Sequence, residues 1–343
     1  MSRIGIAAAG ALAGWAAMRL LAAASRYEFA DKTVLVTGGS RGLGLVLAKH
    51  LAAAGARVAI CGRDPEALER ARSALEAIGA EVFALPADVA DRHAVDALVR
   101  HVVARLGPVD VLVNNAGVIE VGPAETMTLA DYQEAMAVNF WGVVHPTLAV
   151  LPAMRERRQG RIVNIISIGG RLGVPHLVPY SASKFAALGF SQGLRAEERR
   201  HGVIVTSVVP GLMRTGSPRN ATFRGRHRAE YAWFSIADSL PGLSVGAEEA
   251  ARRILDGVRR GVAEIRFPLV TRLAVIASAA APNLTASVLE FGGWLLPDVP
   301  ADRQARRPGR ESQSAASPSW LTRLGDDAAR RYNQIAPTEG ASA

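Results

Sequence analysis

The sequence predicts an α/β fold built on a parallel sheet, and three observations predict it. Short β-branched runs recur between Asp31 and Phe267, and segments of about twelve or more residues with helical spacing separate them. The runs are continuously apolar rather than alternating, as expected of strands covered on both faces. The first junction between such a run and a helix is rich in glycine. Strand, helix and strand in that rhythm make right-handed βαβ units.

Taken in order, Thr33–Thr37 (TVLVT) is a first strand running into glycines, and Gly42–Ala54 is a helix that stops at Gly55. Arg57–Cys61 (RVAIC) is a second strand. Pro65–Ile78 is a second helix, opened by Asp64 as N-cap and Pro65 at its first position. Glu81–Leu85, Val109–Asn114 (VDVLVN), Arg161–Ile166 (RIVNII) and Val203–Val209 (VIVTSVV) follow as strands, with Asp91–Leu106 and Tyr180–Arg200 as helices. Leu129–Arg157 is long enough for one bent helix or two abutting ones. Pro210–Ser244 reads as a loop-rich insertion carrying Phe223, Tyr231, Trp233 and Phe234. Ala247–Arg260 returns as a helix and Glu264–Phe267 as a last strand. Pro268–Pro297 is apolar and interrupted at Pro282 and Gly292-Gly293, which predicts two short helices. Asp298–Ala343 is rich in Arg, Ser, Pro and Ala without apolar periodicity, so it is expected to be disordered, with a short amphipathic turn near Trp320–Leu324.

Composition narrows the functional classes. Apolar content of 49% with 21% charged residues describes a globular chain with ample core. The net charge of +9 invites a nucleic-acid reading, but only three of the 40 basic residues are lysines (Lys32, Lys49, Lys184), and the arginines are spread among acids. No nucleic-acid partner is expected; a basic field suits a phosphorylated cofactor or an anionic membrane. The one cysteine, Cys61, rules out an internal disulfide, fits a reducing compartment and lies in an apolar run as a buried, inert thiol. No metal site is expected.

Residues Ile4–Ala24 carry no charge except Arg19, and these 21 residues could cross about 30 Å of hydrocarbon as a helix. Three readings compete: a transmembrane or interfacial anchor, a signal peptide cleaved after Ala22-Ala23-Ala24, and a helix lying on the protein itself. The anchor is favoured, because export would remove the chain from the cytosolic cofactor argued for below.

The chemistry lies in five short stretches. Thr37-Gly38-Gly39-Ser40-Arg41-Gly42-Leu43-Gly44 sits between a strand and a helix, where glycines let phosphates approach orphan N–H groups at a helix N-terminus. At the end of the second strand an acid would bind the ribose 2′-hydroxyl of NAD; Gly62 and Arg63 stand there instead, and Arg41 and Arg63 can flank a 2′-phosphate. Asp64 next door works against that reading. Asp88-Val89 follows the third strand, able to meet an adenine edge, and Asn114-Asn115-Ala116-Gly117 closes the fourth. Between Ser167 and Lys184 (SIGGRLGVPHLVPYSASK), Tyr180 and Lys184 share a helix face one turn apart. An ammonium there favours the phenolate and lowers the tyrosine pKa from its reference near 10, poising it for acid–base work. Taken alone, Tyr and Lys at this spacing are an ordinary surface pair.

TGGSRGLG, Asp88-Val89, NNAG, Asn139 in MAVNFWG, Ser167, YSASK and Pro210-Gly211 stand in the order and spacing of the classical short-chain dehydrogenase/reductase family, which residues 31–266 resemble. The resemblance implies a doubly wound, Rossmann-type sheet of about seven strands with the cofactor along its C-terminal edge. It implies a tetrad of Asn139, Ser167, Tyr180 and Lys184. Cofactor contacts would come from Gly38, Ser40, Arg41, Gly42, Leu43, Gly44, Arg63, Asp88, Val89, Asn115, Ala116, Gly117, Tyr180, Lys184, Pro210 and Gly211, with Thr215 near the nicotinamide carboxamide. NADP(H) is expected in preference to NAD(H). Lys184 would hold the nicotinamide ribose, and Asn139 a water that resupplies protons.

The chain then divides into a hydrophobic N-terminal segment (1–28), a Rossmann-type catalytic domain (29–267) whose lid spans 210–244, an apolar helical extension (268–297) and a tail (298–343). An apolar lid and apolar ends point to a hydrophobic carbonyl or alcohol as substrate. His176 and Arg171 are expected in a solvated loop, with the alternative that they face the pocket. The resemblance further implies a homodimer or homotetramer through Leu129–Arg157 and Tyr180–Arg200. The chain is expected on the cytoplasmic side, with the apolar residues 4–24 as its membrane anchor. Two other classes are weighed: an NADP(H)-binding sensor, which would usually have lost a tetrad member, and a membrane-surface scaffold, which would not need the tetrad.

Overall fold

The computed structural model describes residues 26–299 and 306–335. The expected anchor at 4–24 lies outside them. The Rossmann-type half is built from β1 (Thr33–Thr37), α1 (Gly42–Ala53), β2 (Arg57–Gly62), α2 (Pro65–Glu76), β3 (Val82–Pro86), α3 (Arg92–Leu106) and β4 (Val111–Asn114). A two-residue strand β5 (Glu120–Val121) follows. Next come α4 (Leu129–Met136), a π-helical turn at Ala137–Trp141 and α5 (Gly142–Glu156), which together make one bent helix with Asn139 at the bend. β6 (Gly160–Ile165), α6 (Val178–Glu198) and β7 (Val203–Pro210) complete the regular part.

All seven strands of the main sheet run parallel in the order β11-β7-β6-β4-β1-β2-β3, with β11 at Glu264–Phe267. The winding reverses between β1 and β4, and a ligand crevice opens at that switch point in doubly wound sheets. The period of two along β1 explains why both faces are covered. Val34 and Val36 enter a core with α1, α2 and a later helix, while Leu35 enters the core with α3 and α5.

The structure corrects the reading of the C-terminal third. Pro210–Ser244 is not mainly loop: it holds β8 (Leu212–Arg214), β9 (Thr222–Arg224), α7 (His227–Ser239) and β10 (Ser244–Gly246). Phe223, Tyr231 and Phe234 point inward and pack with Val121 and Leu177 as a small core of their own. After α8 (Ala247–Arg260), which packs on α1, the chain passes through β11 into an apolar hairpin, α9 (Leu269–Ala280) and α10 (Pro282–Trp294).

The tail is not disordered over residues 306–335. β12 (Arg306–Pro308) pairs antiparallel with β9, and β9 pairs parallel with β5, giving a three-stranded outer sheet; α11 (Arg323–Arg331) follows. Apolar periodicity is missing because small residues make this packing. A methyl on Gly309 would collide with the Pro218 carbonyl, and one on Gly216 would collide with Ala329. Ser312, Ser317, Thr322, Ala328 and Ala329 are all buried.

Candidate active site

The glycine turn is clamped from below by β4. Thr37 Oγ1 accepts from the amides of Asn115 (3.0 Å) and Ala116 (3.1 Å), and Asn115 Nδ2 donates to the carbonyls of Thr37 and Gly38, both at 3.1 Å. Gly38 (φ +63°) and Gly42 (φ +56°) adopt the left-handed conformation that side chains disfavour. A Cβ on Gly38 would lie 2.8 Å from Ala116 Cα, and one on Gly44 would strike the Gly38 carbonyl. The bare backbone borders a cavity of about 510 Å³ at the β1/β4 switch point, a volume ordinary for a small-molecule site.

Gly38, Ser40, Arg41, Arg63, Asp88, Val89, Asn115, Ala116 and Gly117 all line this cavity. Gly42, Leu43, Gly44, Pro210, Gly211 and Thr215 stand outside its lining. Leu43 faces the core, and Gly211 N–H donates to the Phe267 carbonyl (2.8 Å), which ties β7 to β11. The lining also takes in residues that sequence reasoning missed, among them Ala87, Ile119, Ser217, Asn220 and Gln334. Gln334 lies in the segment expected to be disordered and carried no signal.

Arg41 is already engaged. Its guanidinium meets Asp64 at 2.6 Å and Asn220 Oδ1 at 3.2 Å. Asp64 also caps α2 through the Ala67 amide (3.0 Å), and that bond, then Arg41, holds its carboxyl below the usual range. Arg63 lines the cavity without an acidic partner among the described residues.

Ser167, just beyond β6, and Tyr180, in the first turn of α6, are hydrogen-bonded. Ser167 Oγ accepts from Gly169 N–H (3.1 Å), which fixes its rotamer. Lys184 is buried, its Nζ donating to the Ile165 carbonyl (3.0 Å) and lying 5.7 Å from the Tyr180 ring centre. The amide of Asn139 pairs both ways with Val118, at 3.0 Å each, and donates to Ser183 Oγ (3.0 Å), which in turn donates to the Tyr180 carbonyl (2.7 Å). Ser183 was missed, although it stands within YSASK. A methyl on Gly117 would lie 3.0 Å from Asn139 Oδ1 and 3.6 Å from Lys184 Nζ, so these two approach the cavity wall at Gly117, while Asn139, Ser167, Tyr180 and Lys184 all stand outside the lining itself.

The expected lowering of the tyrosine pKa is not what this arrangement gives. Burial pushes Tyr180 up to about 12, partly offset by Ser167 and added to by the Glu120 carboxylate. Burial pushes Lys184 down to about 8. Desolvation outweighs the pair's charge interaction, so the phenol stays protonated at neutral pH.

His176 and Arg171 are not solvated. His176 Nδ1 meets both oxygens of the buried Glu230 (2.9 and 3.0 Å), and Trp233 Nε1 donates to the same carboxylate (2.7 Å). Arg171 pairs with Glu264. Both tie the loop to its surroundings.

The profile of the short chain dehydrogenase family matches residues 32–223. The chain belongs to that family. A fatty acyl-CoA reductase of Acinetobacter baylyi is 35% identical over 283 residues, covering 82% of this dehydrogenase and 90% of the relative. Among solved structures, an actinorhodin polyketide ketoreductase with NADPH is 33% identical, with a TM-score of 0.62 over 70% of this chain and 97% of its own. A short chain dehydrogenase/reductase from Burkholderia phymatum in complex with NAD is 25% identical, with a TM-score of 0.66 over 76% and 96%. This dehydrogenase is therefore an oxidoreductase with a Rossmann-type fold. The glycine cradle and the cavity at the switch point fit a nicotinamide dinucleotide.

Proposed function

We propose that the chain is an NADP(H)-dependent dehydrogenase/reductase acting on a carbonyl or secondary alcohol of a hydrophobic substrate. The pairing of Ser167 with Tyr180, together with the approach of Asn139 and Lys184 to the cavity wall at Gly117, carries the reading. The bound nicotinamide would supply or take up hydride. Tyr180, protonated at neutral pH, donates its proton to the oxygen that becomes alkoxide, and Ser167 donates a hydrogen bond to the same oxygen, so charge is met where it forms. Lys184 holds the cofactor ribose and lies on the proton path, and Asn139 fixes the Val118 backbone beside it.

Arg63, with no acid holding it among the described residues, and Arg41 support NADP(H); the Asp64 partner of Arg41 makes Arg63 the more important of the two. The hydrophobic substrate is supported by the α9–α10 hairpin, where Leu273, Val288, Phe291 and Trp294 are exposed. That hairpin stands near the tetrad loop, with Gly293 against Pro175. The name of the Acinetobacter relative points the same way. Residues 4–24 then serve as an anchor on the cytoplasmic side. Exposed Leu129, Trp141 and Phe185 support pairing of two copies through the α4–α5 and α6 helices.

Turnover of a panel of ketones and aldehydes with NADPH tests the reading, with Tyr180→Phe as control. The variant is expected to bind NADPH and lose about a thousandfold or more in turnover; turnover within tenfold of the parent sinks the assignment. Flotation with liposomes, with and without residues 1–28, tests the anchor. Light scattering tests the oligomer.

A further inference from the structure

The last described residues of the chain reach across the cofactor cleft and hold both of its lips. On the lip formed by the glycine turn and α2, the Gly42 amide donates to the Tyr332 carbonyl (2.8 Å). Asn333 Nδ2 donates to the carbonyls of Ser40 (2.8 Å) and Ala67 (2.9 Å), and Arg70 Nε donates to Asn333 Oδ1 (2.9 Å). Asn333 sits at φ +59°, a left-handed conformation that Asn tolerates and that turns its amide down onto the lip. On the opposite lip, formed by the lid, Gln334 Nε2 donates to the Thr215 carbonyl (3.1 Å) and Gln334 Oε1 accepts from Asn220 Nδ2 (2.6 Å).

The two lips are close here. A Cβ on Gly42 would lie 3.7 Å from Thr215 Cβ and 2.8 Å from Gln334 Nε2. Gln334 lines the cavity itself. This is the part of the cavity where the glycine turn would hold phosphate. Adjacent residues therefore grip the two walls separately, Asn333 one and Gln334 the other. Among the described residues, the walls are otherwise joined by a side-chain bond between Arg41 and Asn220 (3.2 Å).

We propose that Asn333 and Gln334 form a clasp that closes the phosphate end of the cleft and slows the release of bound dinucleotide. The proposal rests on reading the cleft as the nicotinamide cofactor site. The tail that carries the clasp is fastened to the lid by β12 and α11, so shutting the clasp also draws the lid against the glycine turn. A cofactor leaving the cleft has to wait for these bonds to open. Each is worth little in water, but they are made or lost together, and about two net hydrogen bonds change a dissociation rate by about tenfold.

The test uses the full chain loaded with NADPH, chased with excess NADP⁺, and followed by nicotinamide fluorescence. Gln334→Ala and Asn333→Ala are each expected to release NADPH about tenfold faster than the parent, and the double variant no more than about twofold faster again, because the clasp acts as a unit. Hydrogen exchange supplies a readout independent of activity: amides at 332–335 should exchange more slowly when NADPH saturates the parent. Release rates within twofold of the parent in both folded single variants would overturn the clasp. Faster exchange at 332–335 on NADPH binding would overturn it too, since the segment would then be displaced rather than closed. A parent that binds neither NADPH nor NADH overturns the reading of the cleft and the clasp with it; binding with unchanged release overturns the clasp alone.

Discussion

The two walls of the cleft are made of different material. The glycine-turn wall is main chain: bare glycines, amides and carbonyls, with Thr37 and Asn115 bracing it from behind. The lid wall is held by side chains. Arg224 bonds the buried Asp131 (2.9 Å), Glu230 takes His176 and Trp233, and Phe223, Tyr231 and Phe234 fill the centre. A wall of backbone cannot give way, because its shape is set by φ and ψ and by contacts with no side chain to rotate. A wall of side chains can be reshaped, but it fails when one buried charge loses its partner. The rigid wall suits a fixed ligand such as a dinucleotide, and the adjustable wall suits whatever is reduced or oxidised on it.

Four substitutions would break or sharpen that contrast. Gly38→Val should do most, since its φ of +63° and the 2.8 Å approach to Ala116 leave no room for a side chain. NADPH affinity by fluorescence titration should fall about a hundredfold or more; a fall under threefold would mean that the backbone wall yields. Arg224→Met should leave Asp131 without its nearest cation, Thr128 remaining bonded to it, and cost about 3 kcal/mol in urea unfolding, with carbonyl kcat/KM falling alongside. An unchanged midpoint would mean that Arg306, 3.8 Å from Asp131, takes over.

Arg63→Ala should lower the preference for NADPH over NADH by about tenfold, leaving NADH kinetics in place. An unchanged ratio would assign the 2′-phosphate to Arg41. The last effect, on stability rather than binding, belongs to Glu120. Burial, then the Glu134 and Asp131 carboxylates, raise its pKa from 4.5 to about 7. Between those values the folded chain binds a proton that the unfolded chain has lost, so stability falls as pH rises from 4.5 to 7 and stays lower above it. Glu120→Gln should remove that slope and raise the thermal midpoint at pH 8 relative to pH 5. An unchanged pH dependence would show that the carboxyl is solvated.

Legibility followed the same division. The backbone-built half was readable because glycine, β-branched runs and N-caps each dictate a main-chain geometry: Asp64 caps α2 as expected, and the sheet winds as the resemblance implies. The lid was misread where tertiary contacts override local pattern. His227–Ser239 has Trp, Phe and Tyr among charged residues and becomes a helix because those rings have Val121 and Leu177 to pack against. The tail looked like a solvated segment since serine, glycine and alanine carry no hydrophobic signal; their use there is close approach. The tyrosine pKa was misjudged because spacing reports charge proximity and says nothing about burial, which dominates.

The outer sheet also sets an order of events during translation. β5 lies at Glu120–Val121, β9 at Thr222–Arg224 and β12 at Arg306–Pro308, and the chain emerges from the ribosome N-terminal end first. The seven-stranded sheet can form when β11 has appeared, at which point β9 still has one unpaired edge and the clasp has not been made. A nascent chain therefore passes through a stage with its cradle finished and its roof open, before residues 306–335 take their place on it.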